Sequence, residues 1–298
     1  MSSSHEFSVN GWNTFDVRSL AAAVHFPSGV EIKIGLMSNT REIRYREFRW
    51  PELARLGPHM PDCSYAAVTL QTPECRLAVE FASEGDTLAV RATPTRNSGM
   101  LRPFAEVFMY SGFDGEVTPG PYALVSTQNG EFSICSPGGG PAEQLSFPGA
   151  ATFVAGIGKN LLIWASRQSG TVSSDEVEQF IDRKKAEAEV WEKHYDKPEL
   201  QAAYEGMWRS VIWNTIYAPS LGRPVTVVSR DWCVDGNYGD FVLFEWDTFF
   251  SALQASTGSR ELAYNNVRAV LSGITERGFV PSIYCGLGKS RDRSMLPV

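Results

Sequence analysis

Up to about Arg167, apolar and polar residues alternate in short runs, and after Ser173 the period lengthens to that of a helix. Val30–Ile34, Cys75–Phe81, Thr87–Ala92, Ala105–Tyr110, Tyr122–Ser126 and Leu161–Ala165 each read as a strand. Turn-forming clusters separate them: Pro27-Ser28-Gly29, Glu84-Gly85-Asp86, Asn129-Gly130 and Ser136–Pro141. Short strands broken this way predict an antiparallel sandwich rather than βαβ units. Asn129-Gly130 is the sharpest hairpin signal, because both residues tolerate the positive φ of a type I′ turn. One segment departs from the pattern. Thr40–Pro61 sets Arg41, Arg44, Arg46, Arg49 and Arg55 around Phe48, Trp50 and Leu53. It reads as an amphipathic excursion that docks on the acidic second half of the chain, or as a loop that grips an anion.

Ser173 or Ser174 can cap a helix with Asp175 and Glu176 in its first turn, where the helix dipole favours negative charge. The following run is mostly polar and predicts a linker helix. Pro198 opens the next helix, whose apolar positions Leu200, Tyr204, Met207, Trp208, Val211, Ile212 and Ile216 share one stripe. Pro224–Tyr238 reads as a strand pair or a long decorated loop. A further helix capped by Ser259 turns Leu262, Val267, Val270, Leu271 and Ile274 inward and stops at Gly278. Residues 279–286 read as an apolar loop.

Gly236–Ser256, GNYGDFVLFEWDTFFSALQAS, carries the chemistry most worth following. A Gly- and Asp-rich loop runs into Trp246-Asp247, after which a helix carries Phe249, Phe250 and Leu253 inward. A carboxylate at such a helix start can hold a polar ligand while aromatic rings pack around it, and Trp and Tyr offer flat faces of the kind that stack on a sugar ring. The other reading is structural: Trp246 in the core, Asp247 a solvated acid complementing the dipole.

Composition narrows the classes. The 298 residues allow a large core or two domains, and 27 Lys+Arg against 34 Asp+Glu, with no basic run, argue against nucleic acid or an anionic membrane as partner. Aromatic residues at 12%, 8 of them Trp, suit either a carbohydrate-binding surface or a large aromatic core. Cys63, Cys75, Cys135, Cys233 and Cys285 are odd in number and widely spaced, so neither a disulfide framework nor a zinc site is indicated. No signal peptide or membrane-length apolar run is legible, which points to the cytoplasm. GxSxG, HExxH, Walker and GxGxxG motifs are all missing, and no cofactor is expected. Glycosidic hydrolysis needs two carboxyls flanking one bond. Glu245 and Asp247 stand two residues apart, so on a helix they diverge and cannot supply that pair.

FEWDTFFSALQA resembles the FxWDxxF segment of α-toroidal glycosidases, above all bacterial relatives of glycoside hydrolase family 63. GWNTFDVRSL near the N-terminus and SRDRSMLPV at the C-terminus resemble two further stretches of the same relatives, in the same order across nearly the whole chain. The resemblance implies a sandwich over residues 1–170, a linker helix over 171–197 and, over 198–298, the first helices of an (α/α)6 toroid. It implies a glycoside hydrolase acting by inversion on an α-linked glucoside or mannoside. Trp246 and Asp247 would contact the sugar with Phe244 and Phe249 in support, and Asp292 and Arg293 match the later loop. Tyr238 and Asp240 join the candidates by proximity alone. Met295 and Leu296 stand where the family has Gln and Pro, which weakens ligand contact at that loop. The family's acid and base would fall downstream of Val298, so the chain is expected to be part of a longer protein or to associate, and to be inactive alone. A carbohydrate-binding protein without catalysis is the alternative.

Overall fold

The computed structural model describes residues 10–37, 42–43, 52–97, 101–143, 149–168, 170–234 and 236–290. They divide into two compact units. One comprises Ser8–Thr14 and Ser19–Glu192; the other takes Phe15–Arg18 and the chain from Lys193.

The first unit is built from two antiparallel sheets. Strands β1 (Trp12–Asn13), β2 (Ala22–His25), β3 (Val30–Met37), β9 (Arg102–Met109) and β13 (Ala151–Val154) lie in that order, with β4 (Glu42–Ile43) also paired to β3. The larger sheet runs β10 (Gly115–Thr118), β11 (Ala123–Thr127), β12 (Gly130–Cys135), β14 (Leu161–Ser166), β8 (Thr87–Asn97), β7 (Cys75–Glu84), β6 (Tyr65–Gln71), β5 (Leu53–His59). Trp12 and His25 of the first sheet meet Phe132 of the second at ring distances of 5.7 and 4.9 Å, which is how the sandwich closes. Among the described residues no α-helix precedes Ser174.

Each strand expected from alternation is present. The alternation in β3 nevertheless does not separate inside from outside, since every residue from Val30 to Leu36 is buried. Val30, Ile32, Ile34 and Leu36 form the apolar face, while Glu31 and Lys33 pair at 3.0 Å on the other. Two local readings are corrected. The hairpin between β11 and β12 sits where Asn129-Gly130 placed it, but its turn is Gln128-Asn129, with Thr127 opposite Gly130 and only Gly130 (φ 109°) left-handed. Within Thr40–Pro61, Leu53 and Arg55 belong to edge strand β5, not to an amphipathic excursion; Arg41, Arg44, Arg46, Arg49, Phe48 and Trp50 lie outside the described side chains.

Helix α1 (Ser174–Trp191) starts at a full capping box, Ser173 accepting from the Glu176 amide and Glu176 from that of Ser173. It is less polar in function than its sequence. Val177, Ile181 and Ala188 pack with Tyr65, Ala82, Ala89 and Leu162, and Phe180 meets Trp164 edge-on at 5.3 Å. Lys184 buries its stem there and reaches Glu84 and Glu187 at 3.1 and 3.0 Å.

The second unit holds α2 (Pro198–Trp213), the hairpin β15 (Thr215–Ala218) and β16 (Arg223–Thr226), strand β17 (Val242–Phe244), α3 (Glu245–Ala255), α4 (Arg260–Leu271), and strands β18 (Ile283–Cys285) and β19 (Gly288–Ser290). Residues 283–285, read from sequence as loop, pair with β17. Helix α2 ends before Ile216, which is buried in the hairpin. Asn214 caps the Ser210 carbonyl with its side chain, and Thr215 bonds back to Val211. The hairpin is fixed to α4 by a closed buried network: Asn266 accepts from the Thr226 amide and donates to its hydroxyl, which meets Thr215 at 3.0 Å. Ser259 caps α4 as expected, but the helix stops at Leu271, and Gly278 instead closes a separate turn on Thr275. Between α3 and α4, Gly258 lies flat on Trp208: a Cβ there would sit 2.2 Å from the indole. No described helix is long and apolar enough to cross a membrane.

Candidate functional site around the start of α3

Strand β17 delivers Phe244 as the residue before α3, so Trp246 and Asp247 fall in the helix's first turn. The Phe244 side chain makes no cap, and the Glu245 amide donates to the Ser282 carbonyl at 3.3 Å. Trp246 is 41% exposed. That excludes a core role. Asp247 is half-buried and, among the described residues, engages no hydrogen bond or ion pair. Glu245 is buried, so the two acids differ in access as well as direction.

The remaining candidates divide by what they touch. Phe244 is half-buried and meets Tyr238 edge-on at 6.4 Å; Phe249 is half-buried against the core of Val242, Leu243 and Val270. Asp240 is already occupied. Its carboxylate accepts from the Ser220 amide at 2.9 Å and the Ser220 hydroxyl at 2.7 Å, tying two loops together. Gly286 makes room for it, since a Cβ there would lie 2.3 Å from Asp240 Oδ1. Asp292 and Arg293 lie outside the described residues. Phe250 and Leu253, expected to point inward, are 52% and 68% exposed, and the helix instead buries Glu245, Thr248, Ala252 and Ala255. The buried side chains are mostly small, which lets α3 lie close to α4.

Trp232 is the residue that sequence reasoning missed. It sits on a single 3-10 turn, Asp231–Cys233, is 41% exposed, and meets Phe244 edge-on at 5.6 Å. Phe244 therefore stands between two rings. The backbone around them is pinned: Leu287 donates to the Tyr238 carbonyl and Gly286 to that of Phe241.

No family model matches the chain, and no curated protein matches it. Among solved structures, similarity is found to a polysaccharide lyase at 11% identity and a TM-score of 0.27, over 53% of this chain and 28% of that one. A structure described as a kojibiose phosphorylase from human microbiome is 6% identical with a TM-score of 0.24, over 81% of this chain and 38% of that one. The chain thus spans well under half the length of either neighbour. Likenesses this slight carry no argument about the site.

The N-terminal stretch GWNTFDVRSL contributes Phe15–Arg18 to the helical unit. Phe15 and Asp16 are buried, the Phe15 carbonyl accepts from the Tyr217 amide at 2.9 Å, and Arg230, itself buried, donates to the carbonyls of Asp16 and Thr215. Other reactive groups are shielded. Burial raises the thiols of Cys63 and Cys135 and pushes that of Cys75 up to about 11, so none is a thiolate at neutral pH. Among the described residues no cluster of three His, Cys, Asp or Glu could hold a metal ion.

Proposed function

We propose that the chain binds carbohydrate at the start of α3, with Trp246 stacking on a sugar face and Asp247 accepting from its hydroxyls. We further propose that it serves a glycoside hydrolase that inverts an α-linked glucoside or mannoside. The observation that carries the binding reading is the pairing, on one helical turn, of an exposed indole with a carboxylate that bonds nothing among the described residues. A core tryptophan would be covered, and a carboxylate serving the fold would be bonded as Asp240 is. A partly desolvated carboxylate in contact with a sugar gains charge-assisted hydrogen bonds worth roughly 1.5–3 kcal/mol each. The glycosidase step rests on the resemblance of FEWDTFFSALQA, GWNTFDVRSL and SRDRSMLPV. It carries with it the division into sandwich, connecting helix and opening toroid.

The test uses the full chain in calorimetric titration against methyl α-glucoside, methyl α-mannoside and their oligosaccharides. Asp247→Asn is expected to weaken binding by about ten- to a hundredfold while shifting stability by no more than about 0.3–1 kcal/mol through the helix dipole. Unaltered affinity with a clear loss of stability would make Asp247 structural. Binding without turnover in the complete natural protein would favour the non-catalytic alternative; hydrolysis with an inverted product anomer, followed by proton NMR, would support the enzyme.

A further inference from the structure

We infer that Trp232 is a second stacking platform and that the ligand is an oligosaccharide spanning it and Trp246, not a single sugar; this rests on the carbohydrate reading above. The 3-10 turn of Asp231–Cys233 holds one side of the Trp232 indole edge-on against Phe244, at 5.6 Å and 72°, and leaves 41% of the residue exposed. Phe244 stands at the N-cap of α3, two residues before Trp246, so the strand end that supports the Trp232 indole leads directly into the turn that carries the other exposed indole. Cys233, the next residue, is buried in the same core as Phe241, Val242 and Leu243, which fixes the turn's position on that strand.

An exposed indole with no packing role would be mobile, and ordering it on binding would cost conformational entropy. Here the edge contact with Phe244 and the burial of Cys233 have already met that cost before any ligand arrives. Large rigid aromatic side chains in this condition are the ones that dominate recognition energy. A monosaccharide held by Trp246 and Asp247 has no need of a further face. A chain of sugars presents one apolar face per residue, and a second exposed indole, supported on the strand end that leads into the same helix, can serve such a ligand. Specificity for length would then come from Trp232, and specificity for hydroxyl orientation from Asp247.

The full chain is titrated with methyl α-glucoside and maltotriose, and with methyl α-mannoside and an α-linked mannotriose. The trisaccharide of the preferred sugar should bind more tightly than its methyl glycoside. Trp232→Ala should remove that advantage, weakening the trisaccharide by about tenfold or more and the methyl glycoside by less than about twofold. Trp232→Phe, which keeps an edge contact on Phe244, guards against a folding defect and should lose part of the advantage. Asp247→Asn should weaken both ligands together. Equal loss for both ligands in the Trp232 variants, or no loss for either, would overturn the inference while leaving the carbohydrate reading intact. Absence of binding to every sugar by the wild-type chain would defeat that reading and this inference together.

Discussion

The two units dispose of their side chains in opposite ways. In the β unit, polar groups are drawn inside and closed into networks. His25, fully buried, meets the Ser28 hydroxyl at 3.0 Å and the Asp86 carboxylate at 3.0 Å, and Arg167 completes the ring by reaching both Asp86 and Ser28. Arg167 also lies over Phe132 at 4.9 Å. The helical unit does the reverse with apolar groups. Leu200, Phe250, Leu253 and Tyr264 are all more than half exposed, and Met207, Trp246, Leu271 and Ile274 are partly so. Among the described residues of the β unit, the exposed large apolar ones are Leu124, Ile157 and Val190. One unit spends its sequence on internal closure, and the other keeps aromatic and aliphatic surface available.

The His25 ring is the sharpest test of closure in the β unit. Truncating His25→Ala would empty a buried ring site and strip partners from Ser28 and Asp86, a loss of about 2–4 kcal/mol, measurable by chemical denaturation. The same residue gives a pH signature. Burial, the largest cause, and the Arg167 charge lower its pKa from 6.5, against the opposing pull of Asp86. The folded state thus resists the proton that the unfolded chain accepts. His25's contribution is complete above pH 6.5 and declines as pH falls through that value toward the lowered one. The carboxylate of Glu84, lowered by Arg183 and Lys184, withdraws its own contribution only below its ordinary 4.5. Denaturation between about pH 5 and 6.5 should therefore lose slope in His25→Gln. An unchanged slope would mean that the ring is not a coupled unit.

Closure in the helical unit depends on shape. Gly258→Ala would drive a methyl into the Trp208 indole, with the nearest ring atom 2.2 Å from the Cβ. Trp208 is fully buried and cannot turn away, so a cost of about 1–3 kcal/mol is expected. Thermal denaturation of this variant indistinguishable from the parent would show that α3 and α4 adjust more freely than the packing implies.

What the sequence disclosed follows the same division. Strands with alternation were legible because their apolar face alone fixes them, and the caps at Ser173 and Ser259 were legible because one hydroxyl three residues ahead of an amide is a local device. Edge strand β5 was hidden by Arg55 and by Pro58, which an edge strand tolerates since among the described residues no ladder partner lies beyond it. Ile216 looked helical because the period that placed it after Ile212 coincides with the buried face of the hairpin. At the candidate site, the motif around Trp246 and Asp247 located the turn, but spacing could not say which face of α3 meets the core. Phe250 and Leu253 were read inward because hydrophobic residues usually are, whereas Thr248, Ala252 and Ala255 take that place. Trp232 escaped notice because its relation to Phe244 is made by the fold across an intervening loop.

The smallest effect tests what the exposed stripe is for. The helical period turned Val270, Leu271 and Ile274 inward; Val270 is fully buried, whereas Leu271 and Ile274 are 38% and 42% exposed. On α3, Phe250 and Leu253 lie one turn apart, outward, on the face that also carries Trp246. Leu253 is 68% exposed, so Leu253→Lys removes little buried area, and its effect on folding should stay within about 0.5 kcal/mol. If the stripe serves only to be covered by another molecule, the same change should instead shift the sedimentation profile toward smaller species at high concentration. A destabilisation above about 1 kcal/mol would show that Leu253 is part of the unit's own packing, and the contrast between a closed β unit and an open helical one would then be lost at this position.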